Sequence, residues 1–142
     1  MNILKIKTDK RKIGDIGEGL AAKFLKRNGY KILERNYVQG DAEIDLICKK
    51  DDTVAFVEVK ARTGDASPYE PRPASSVTPE KQRKIIKAAS HYASLKCSGL
   101  KSRLDIVEVY LDGDNPKRAK DIKHLVGAFS KDTAFVKGRY NQ

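Results

Sequence analysis

The chain is poor in the residues that staple or anchor a protein. It has no tryptophan, one methionine and two cysteines in 142 residues. Cys48 and Cys97 are far apart and outside any C-x-x-C pair, which excludes a disulfide framework and a zinc ribbon. Both read as reduced thiols, the state expected of a cytoplasmic protein. No apolar run reaches membrane-spanning length, so no membrane partner is expected. The start, M-N-I-L-K-I-K, lacks the apolar core of a signal peptide. No internal repeat is visible. Acidic residues are scarce relative to basic ones, 19 against 29, which leaves a net charge of +10. That surplus suits a polyanionic partner, most simply nucleic acid, although a generically basic surface would give the same figure. Hydrophobic content of 39% beside 34% charged residues fits one globular domain able to bury a core.

The most informative stretch is G-D-A-E-I-D-L-I-C-K-K-D-D-T-V-A-F-V-E-V-K-A-R, residues 40–62. It reads as strands over 42–47 and 53–60 joined by an Asp51-Asp52 turn. Alternation puts Glu43, Asp45 and Ile47 on one face, with Ile44 and Leu46 on the other. On the second strand Phe56, Glu58 and Lys60 share a face, opposite Val57 and Val59. A two-residue loop pairs Lys50 with Thr53. Asp45 then falls opposite Glu58, and Glu43 opposite Lys60. Opposed side chains have Cβ atoms about 5 Å apart, where like charges repel. Two carboxylates so placed are costly unless a cation joins them, and hard oxygen ligands suit Mg²⁺ or Mn²⁺. Lys60 would project beside that cation, a setting for phosphodiester chemistry. An E-x-K on an edge strand also occurs as a solvated ion pair, so the remainder of the chain has to decide.

Residues 1–12 form a basic N-terminal arm, read either as a disordered contact for phosphates or as a frayed start. Ile13, Ile16, Leu20 and Phe24 recur at helical spacing over 12–28, and Asn28-Gly29 stops the helix. Gly14, Gly17 and Gly19 early in that helix suggest close approach of another backbone or a ligand. Glu18 among them either reaches toward a sheet or simply sits near the positive end of the helix dipole. A first strand covers 30–38. The Gly/Pro/Ser-rich segment 63–77 is a long loop, in which Tyr69 and Arg72 could stack on bases or hold phosphate. Thr78-Pro79-Glu80 opens a second helix running to about 95, with Thr78 as N-cap. Ile85, Ala89 and Tyr92 form its buried face, and Gln82 points inward. Lys81, Arg83, Lys84 and Lys87 crowd its first turns, either as a phosphate-binding helix start or as a solvated face. A strand covers 103–111 and a short last one 122–129. His124 reads as a structural hydrogen-bonder and Asp105 as an ion-pair partner. Residues 131–142 form a C-terminal tail to a domain spanning 13–130.

Helix, three strands, helix, strand, with a helix Glu, a hairpin Asp and E-x-K on the next strand, resembles the PD-(D/E)XK restriction-endonuclease-like superfamily. Narrower motifs are G-E-G-L-A-A-K-F-L-K-R-N-G-Y-K-I-L-E-R-N-Y, E-I-D-L-I, F-V-E-V-K-A-R, the K-Q-R-K-I helix, R-L-D-I-V and I-K-H-L-V-G-A-F. Together they resemble the YraN family of small bacterial proteins over roughly residues 13–130. The resemblance implies an α/β fold with a mixed central sheet, close to archaeal Holliday-junction resolvases. By motif position Glu18 matches the helix carboxylate, Asp45 and Glu58 the metal ligands, Lys60 the active-site lysine, and Gln82 a polar helix position near the site. Ile44 stands where the superfamily name has Pro, a residue that is not itself a ligand.

The expected function is a Mg²⁺- or Mn²⁺-dependent nuclease acting on DNA, branched or otherwise structured. Asp45 and Glu58 would hold the metal with the Val59 carbonyl, and Glu18 would add a ligand directly or through water. Lys60 would orient or help deprotonate the attacking water. Arg62, Tyr69, Arg72, Lys81, Arg83, Lys84 and Lys87 are the candidate nucleic-acid contacts. A resolvase-like role would call for a homodimer. The rival reading is a nucleic-acid-binding module that has the fold and little cleavage activity.

Overall fold

Apolar residues at helical spacing make the first element, α1, Ile3–Arg27. Ile13, Ile16, Leu20 and Phe24 pack beside the fully buried Ala21, Ala22 and Leu25. A computed structural model of the chain describes residues 3–131, with side chains from residue 9 onward. The helix thus begins well before the expected position near 12, and most of the basic arm is its first turns. The tail beyond Lys131 lies outside the described residues. The stop falls where Asn28-Gly29 places it. Asn28 caps the Phe24 carbonyl through both its backbone and its side-chain amide, and Gly29 takes a φ of 90°.

Five strands follow: β1 (Lys31–Gln39), β2 (Ala42–Lys50), β3 (Thr53–Thr63), β4 (Lys101–Leu111) and β5 (Ala119–Phe129). They form one sheet in the order β1-β2-β3-β4-β5. β3 and β4 run parallel and the other neighbours antiparallel, so the sheet is mixed. The parallel pair is linked by a crossover through α2 (Pro79–Lys96), whose N-cap Thr78 accepts the Lys81 N–H as expected. A short 3₁₀ turn, Pro73–Ser76, orders part of the long loop before it.

The two helices cover opposite faces of the sheet. On one, Ile44, Ile47, Val54, Phe56 and Ile106 pack with Ile85, Ala89 and Tyr92 of α2. On the other, Leu46, Val57, Val59, Val107 and Val109 pack with α1. Each large apolar side chain removed from water here contributes about 1.5–3 kcal/mol. Gly17 is the point of closest approach between α1 and the sheet: a β-carbon there would collide with the Ala61 side chain. Gly14 and Gly19 have open space around them, so close approach explains one glycine of the three.

Candidate active site

The β2–β3 hairpin has the expected register, from Lys50 opposite Thr53 to Leu46 opposite Val57. Asp51 takes a φ of 54° in the turn, a conformation Asp tolerates. The ladder ends there, one step before Asp45 and Glu58. Beyond that point the strands part, and Asp45 fills the gap with its side chain: Oδ2 accepts the Val59 N–H at 2.7 Å. Irregularity on the other edge of β2 accompanies the fork. Paired residues run Arg35–Leu46 and then Tyr37–Ile44, with Asn36 between them at a φ of 51°. The alternation of β2 breaks here. Ile44 packs in the α2 layer and Leu46 in the α1 layer, so the two do not share a face as simple alternation predicts. Glu43 does not meet Lys60 across the ladder either. Its Oε1 accepts from the Asn36 side-chain amide at 3.0 Å, and the same amide donates to Glu18 Oε2 at 3.1 Å. One asparagine thereby ties the α1 carboxylate to the edge of the fork.

Glu58 is 4% exposed. Its Oε1 receives Lys81 Nζ at 2.8 Å and lies 3.6 Å from Lys60 Nζ. Its Oε2 is buried with no hydrogen-bond partner. Burial, and then the nearby Glu58 charge, push the Asp45 carboxyl up to about 8, with Glu18 adding to the effect. Burial and the neighbouring Lys81 hold Lys60 below the usual lysine range. Burial acts against the Lys81 ammonium too, but the Glu58 hydrogen bond and charge outweigh it and raise Lys81. Gln82, next to Lys81 in sequence, is buried, and its amide donates to the Val77 carbonyl at 2.9 Å, which fixes the start of α2. The hairpin supplies Asp45, Glu58, Val59 and Lys60, while α2 supplies Lys81 and Gln82.

Among the described residues no group of three or more His, Cys, Asp or Glu side chains converges to hold a metal. A site for Mg²⁺ needs less, because that ion keeps several waters and uses one or two carboxylates. Asp45 and Glu58 fit such a role. They come from neighbouring strands, Asp45 feels the Glu58 charge, and Glu58 presents a buried oxygen without a partner. Glu18 accepts from Asn36, and its charge is felt at Asp45.

The expected nucleic-acid contacts divide. Arg83, Lys84 and Lys87, with His91, line a cavity of about 440 Å³ beside the turn at Gly40 and Asp41. Lys84 pairs there with Asp41 at 3.2 Å. Tyr69 is 94% exposed on the long loop. Arg62 donates to the Pro71 carbonyl at 2.6 Å and lies over the Tyr110 ring, with Glu70 at 3.8 Å. Arg72 has another engagement. Its guanidinium makes a bidentate pair with the fully buried Glu108, at 2.7 and 3.1 Å. The Ala74 N–H and the Tyr110 hydroxyl donate to the same carboxylate. Burial works against the Glu108 charge, but these donors hold its carboxyl below the usual range. Arg72 thus pins the long loop to β4. Lys81 also departs from the expected surface role, since it belongs to the acid cluster.

His124 and Asp105 behave as read from the sequence. Asp105 accepts from Arg103 twice and from the Gly127 N–H, all at 2.9 Å, and lies 2.8 Å from His124 Nε2. Sequence reasoning missed the roles of Lys81 and Asn36. Lys81 carried a signal, being next to the inward Gln82. Asn36 carried a weaker one, as a residue disfavoured in strands and tolerant of the left-handed region.

The model of the uncharacterised protein family UPF0102 matches residues 17–109, a span that holds every side chain of the fork. A UPF0102 protein of Caldanaerobacter subterraneus subsp. tengcongensis is 40% identical over 126 residues, which covers 87% of this chain and 98% of the relative. One from Chloroherpeton thalassium is 48% identical over 100 residues, 70% of this chain and 75% of the relative. Another from Chlorobium phaeobacteroides is 38% identical over 125 residues, 86% and 96% of the two chains. With its helix, three strands, helix and strand in the restriction-endonuclease-like order, the chain belongs to the UPF0102, or YraN, family of the PD-(D/E)XK superfamily.

Proposed function

We propose that the protein is a divalent-cation-dependent nuclease that hydrolyses phosphodiester bonds in DNA, at branched or otherwise structured sites. The observation that carries this reading is the fork itself. The half-buried Asp45 and the buried Glu58 meet there, the Glu58 charge opposes charge on Asp45, and the Lys60 ammonium lies 3.6 Å from Glu58. Two like charges so placed are destabilising on their own and become favourable around a cation. A purely phosphate-binding surface gains nothing from buried acids.

In this reading Asp45 and Glu58, with the Val59 carbonyl, hold Mg²⁺ or Mn²⁺. The bound cation would polarise a phosphoryl oxygen and acidify a bound water. Lys60, already below the ordinary lysine range, positions the attacking water and offsets charge developing on the phosphate. Asp45 takes up its anionic form as the cation enters, while its bond to the Val59 N–H keeps the carboxylate aimed into the fork. Glu18 acts through Asn36 or water. Arg83, Lys84 and Lys87 contact backbone phosphates, and the exposed Tyr69 is free to stack on a base. The preference for structured DNA rests on the resemblance to resolvases.

The test is a cleavage panel of single-stranded, duplex, flap and four-way-junction substrates with Mg²⁺ or Mn²⁺, run on wild type and Asp45→Asn. Wild type should cleave at least one substrate. The variant should lose cleavage and metal binding together, and should keep or improve metal-free binding to DNA. Equal cleavage by both proteins would remove Asp45 from the site. A wild type that binds nucleic acid but neither metal nor any cleavable substrate would be a binding module on this fold.

A further inference from the structure

Glu58 is held by a lysine that does not come from its own strand motif. Lys81 reaches from the first turn of α2 to put Nζ 2.8 Å from Glu58 Oε1, closer than Lys60 at 3.6 Å. Its side chain is 40% exposed, so the ammonium sits at the mouth of the fork, between solvent and the acid pair. Its neighbour Gln82 anchors the helix start to Val77, and Thr78 caps the Lys81 N–H. The backbone at Lys81 is therefore fixed while its four-carbon stem remains free to swing.

We propose that Lys81 is a displaceable counter-ion: it holds Glu58 in the metal-free protein and gives up that carboxylate when a divalent cation arrives, turning to the phosphate of the nucleic acid. This inference rests on the metal-dependent reading above. Two ammonium groups already share Glu58 Oε1, and a dication bound by Asp45 and Glu58 would face both of them at close range. Lys60 is half-buried along β3 at 24% exposure and has little room to leave. Lys81 enters from the rim and can exchange its partner without moving backbone. Outside the fork, the anion on offer is a phosphate oxygen. Lys81 then does two things in sequence: it keeps a buried carboxylate paired before the metal binds, and it adds a cation at the substrate phosphate afterwards.

The experiment is a Mn²⁺ titration, followed by loss of the free-ion EPR signal, on wild type, Lys81→Met and Lys81→Arg, with thermal melts of each. Lys81→Met keeps the apolar stem and removes the competing charge. Its Mn²⁺ affinity should rise by about tenfold, the usual effect of one neighbouring charge on an ionic equilibrium at this range. Lys81→Arg should bind Mn²⁺ no more tightly than wild type, because a guanidinium pairs with a carboxylate at least as well. Duplex binding in the presence of Mn²⁺ should weaken in Lys81→Met. The idea is overturned if Lys81→Met binds Mn²⁺ as wild type does or less tightly. Should Lys81→Met fail to fold, the Arg variant decides, and an affinity above wild type overturns the idea. If none of the three binds Mn²⁺, the metal-dependent reading falls and takes the exchange with it. If wild type binds Mn²⁺ and only the predicted differences are missing, the nuclease reading survives and the role of Lys81 does not.

Discussion

The Asp45 carboxylate accepts the Val59 N–H at 2.7 Å at the place where the β2–β3 ladder gives out. A side chain has replaced a backbone carbonyl as the partner of a strand amide. That substitution keeps the amide satisfied and turns an acid into the fork instead of leaving it on the sheet surface.

Asp45 makes stability depend on pH in an unusual direction. Its carboxyl is raised, by burial first and Glu58 second, from 3.8 to about 8. The folded protein therefore holds this proton more tightly than the unfolded chain, and the contribution to stability is lost as pH rises from about 4 toward about 8. Asp105 and Glu108 are shifted the other way, so their contributions fail only on acidification. Asn at position 45 does not titrate and can still accept from Val59. In EDTA, the Tm of Asp45→Asn should match wild type near the acid end and exceed it increasingly toward the alkaline end. Thermal melts across that range check this, and parallel curves would place the Asp45 proton outside the window. With metal present the sign reverses for wild type, because binding must expel the proton and so strengthens with pH.

Gly17 and Gly19 are two residues apart on one helix and should respond oppositely to alanine. At Gly19 nothing lies within reach of an added β-carbon, so Gly19→Ala should stabilise by about 0.5–1 kcal/mol through helix propensity. At Gly17 the same gain is set against a collision with Ala61. Overpacking costs about 1–3 kcal/mol and exceeds the propensity gain, so Gly17→Ala should destabilise. Adding Ala61→Gly should restore much of the loss. Chemical denaturation of the three variants measures all of this.

Arg72 offers a different contrast, between a structural and a binding role. Glu108 is fully buried and would be left without its bidentate partner by Arg72→Met. Removing one member of a buried pair costs about 3–5 kcal/mol, and the 29% exposure of Arg72 places the expected loss nearer about 2–3. Since Glu108 is held below its ordinary range, the pair contributes above that range and is lost as pH falls. The difference between variant and wild type should therefore shrink on acidification. An Arg72→Met protein of wild-type stability would return Arg72 to the nucleic-acid surface.

Much of this molecule is legible from local rules. The hairpin register follows from a two-residue turn, the second helix from Thr78-Pro79, and the first helix's end from Asn28-Gly29. Each is decided by residues a few positions apart. What escapes the sequence depends on distant partners. Ile44 and Leu46 enter different layers because Asn36, nine residues upstream of Asp45, takes a left-handed conformation and Asp45 spends its side chain on Val59. Arg72 meets Glu108 across 36 residues, and Lys81 meets Glu58 across a helix start. Both basic residues looked like surface charges because the buried acids they meet lie far away in sequence. Hairpin pairing and strand alternation, by contrast, already put Asp45, Glu58 and Lys60 at one end of the ladder, because they depend only on the nearby Asp51-Asp52 turn.

The basic cavity on α2 gives the last prediction. Arg83, Lys84 and Lys87 line it together with Asp41, and Lys84 and Lys87 both lower the Asp41 carboxyl. Each phosphate neutralised by a lysine or arginine releases condensed counterions, so the affinity for DNA should fall steeply with salt. Lys84→Ala with Lys87→Ala should reduce the slope of log affinity against log salt by about two, close to one for each lysine removed. Stability should barely change, because the Lys84–Asp41 pair is exposed and such pairs contribute little. Asp41→Asn should act in the opposite sense, since it removes an anion from the cavity and releases Lys84 from the nearer of its two acidic partners. Affinity should rise, and most at low salt, where surface charges are least screened. Fluorescence anisotropy on a labelled duplex over a salt series measures both effects. An unchanged slope in the double variant, or an Asp41→Asn protein that binds no better at low salt, would move the phosphate-binding surface away from α2.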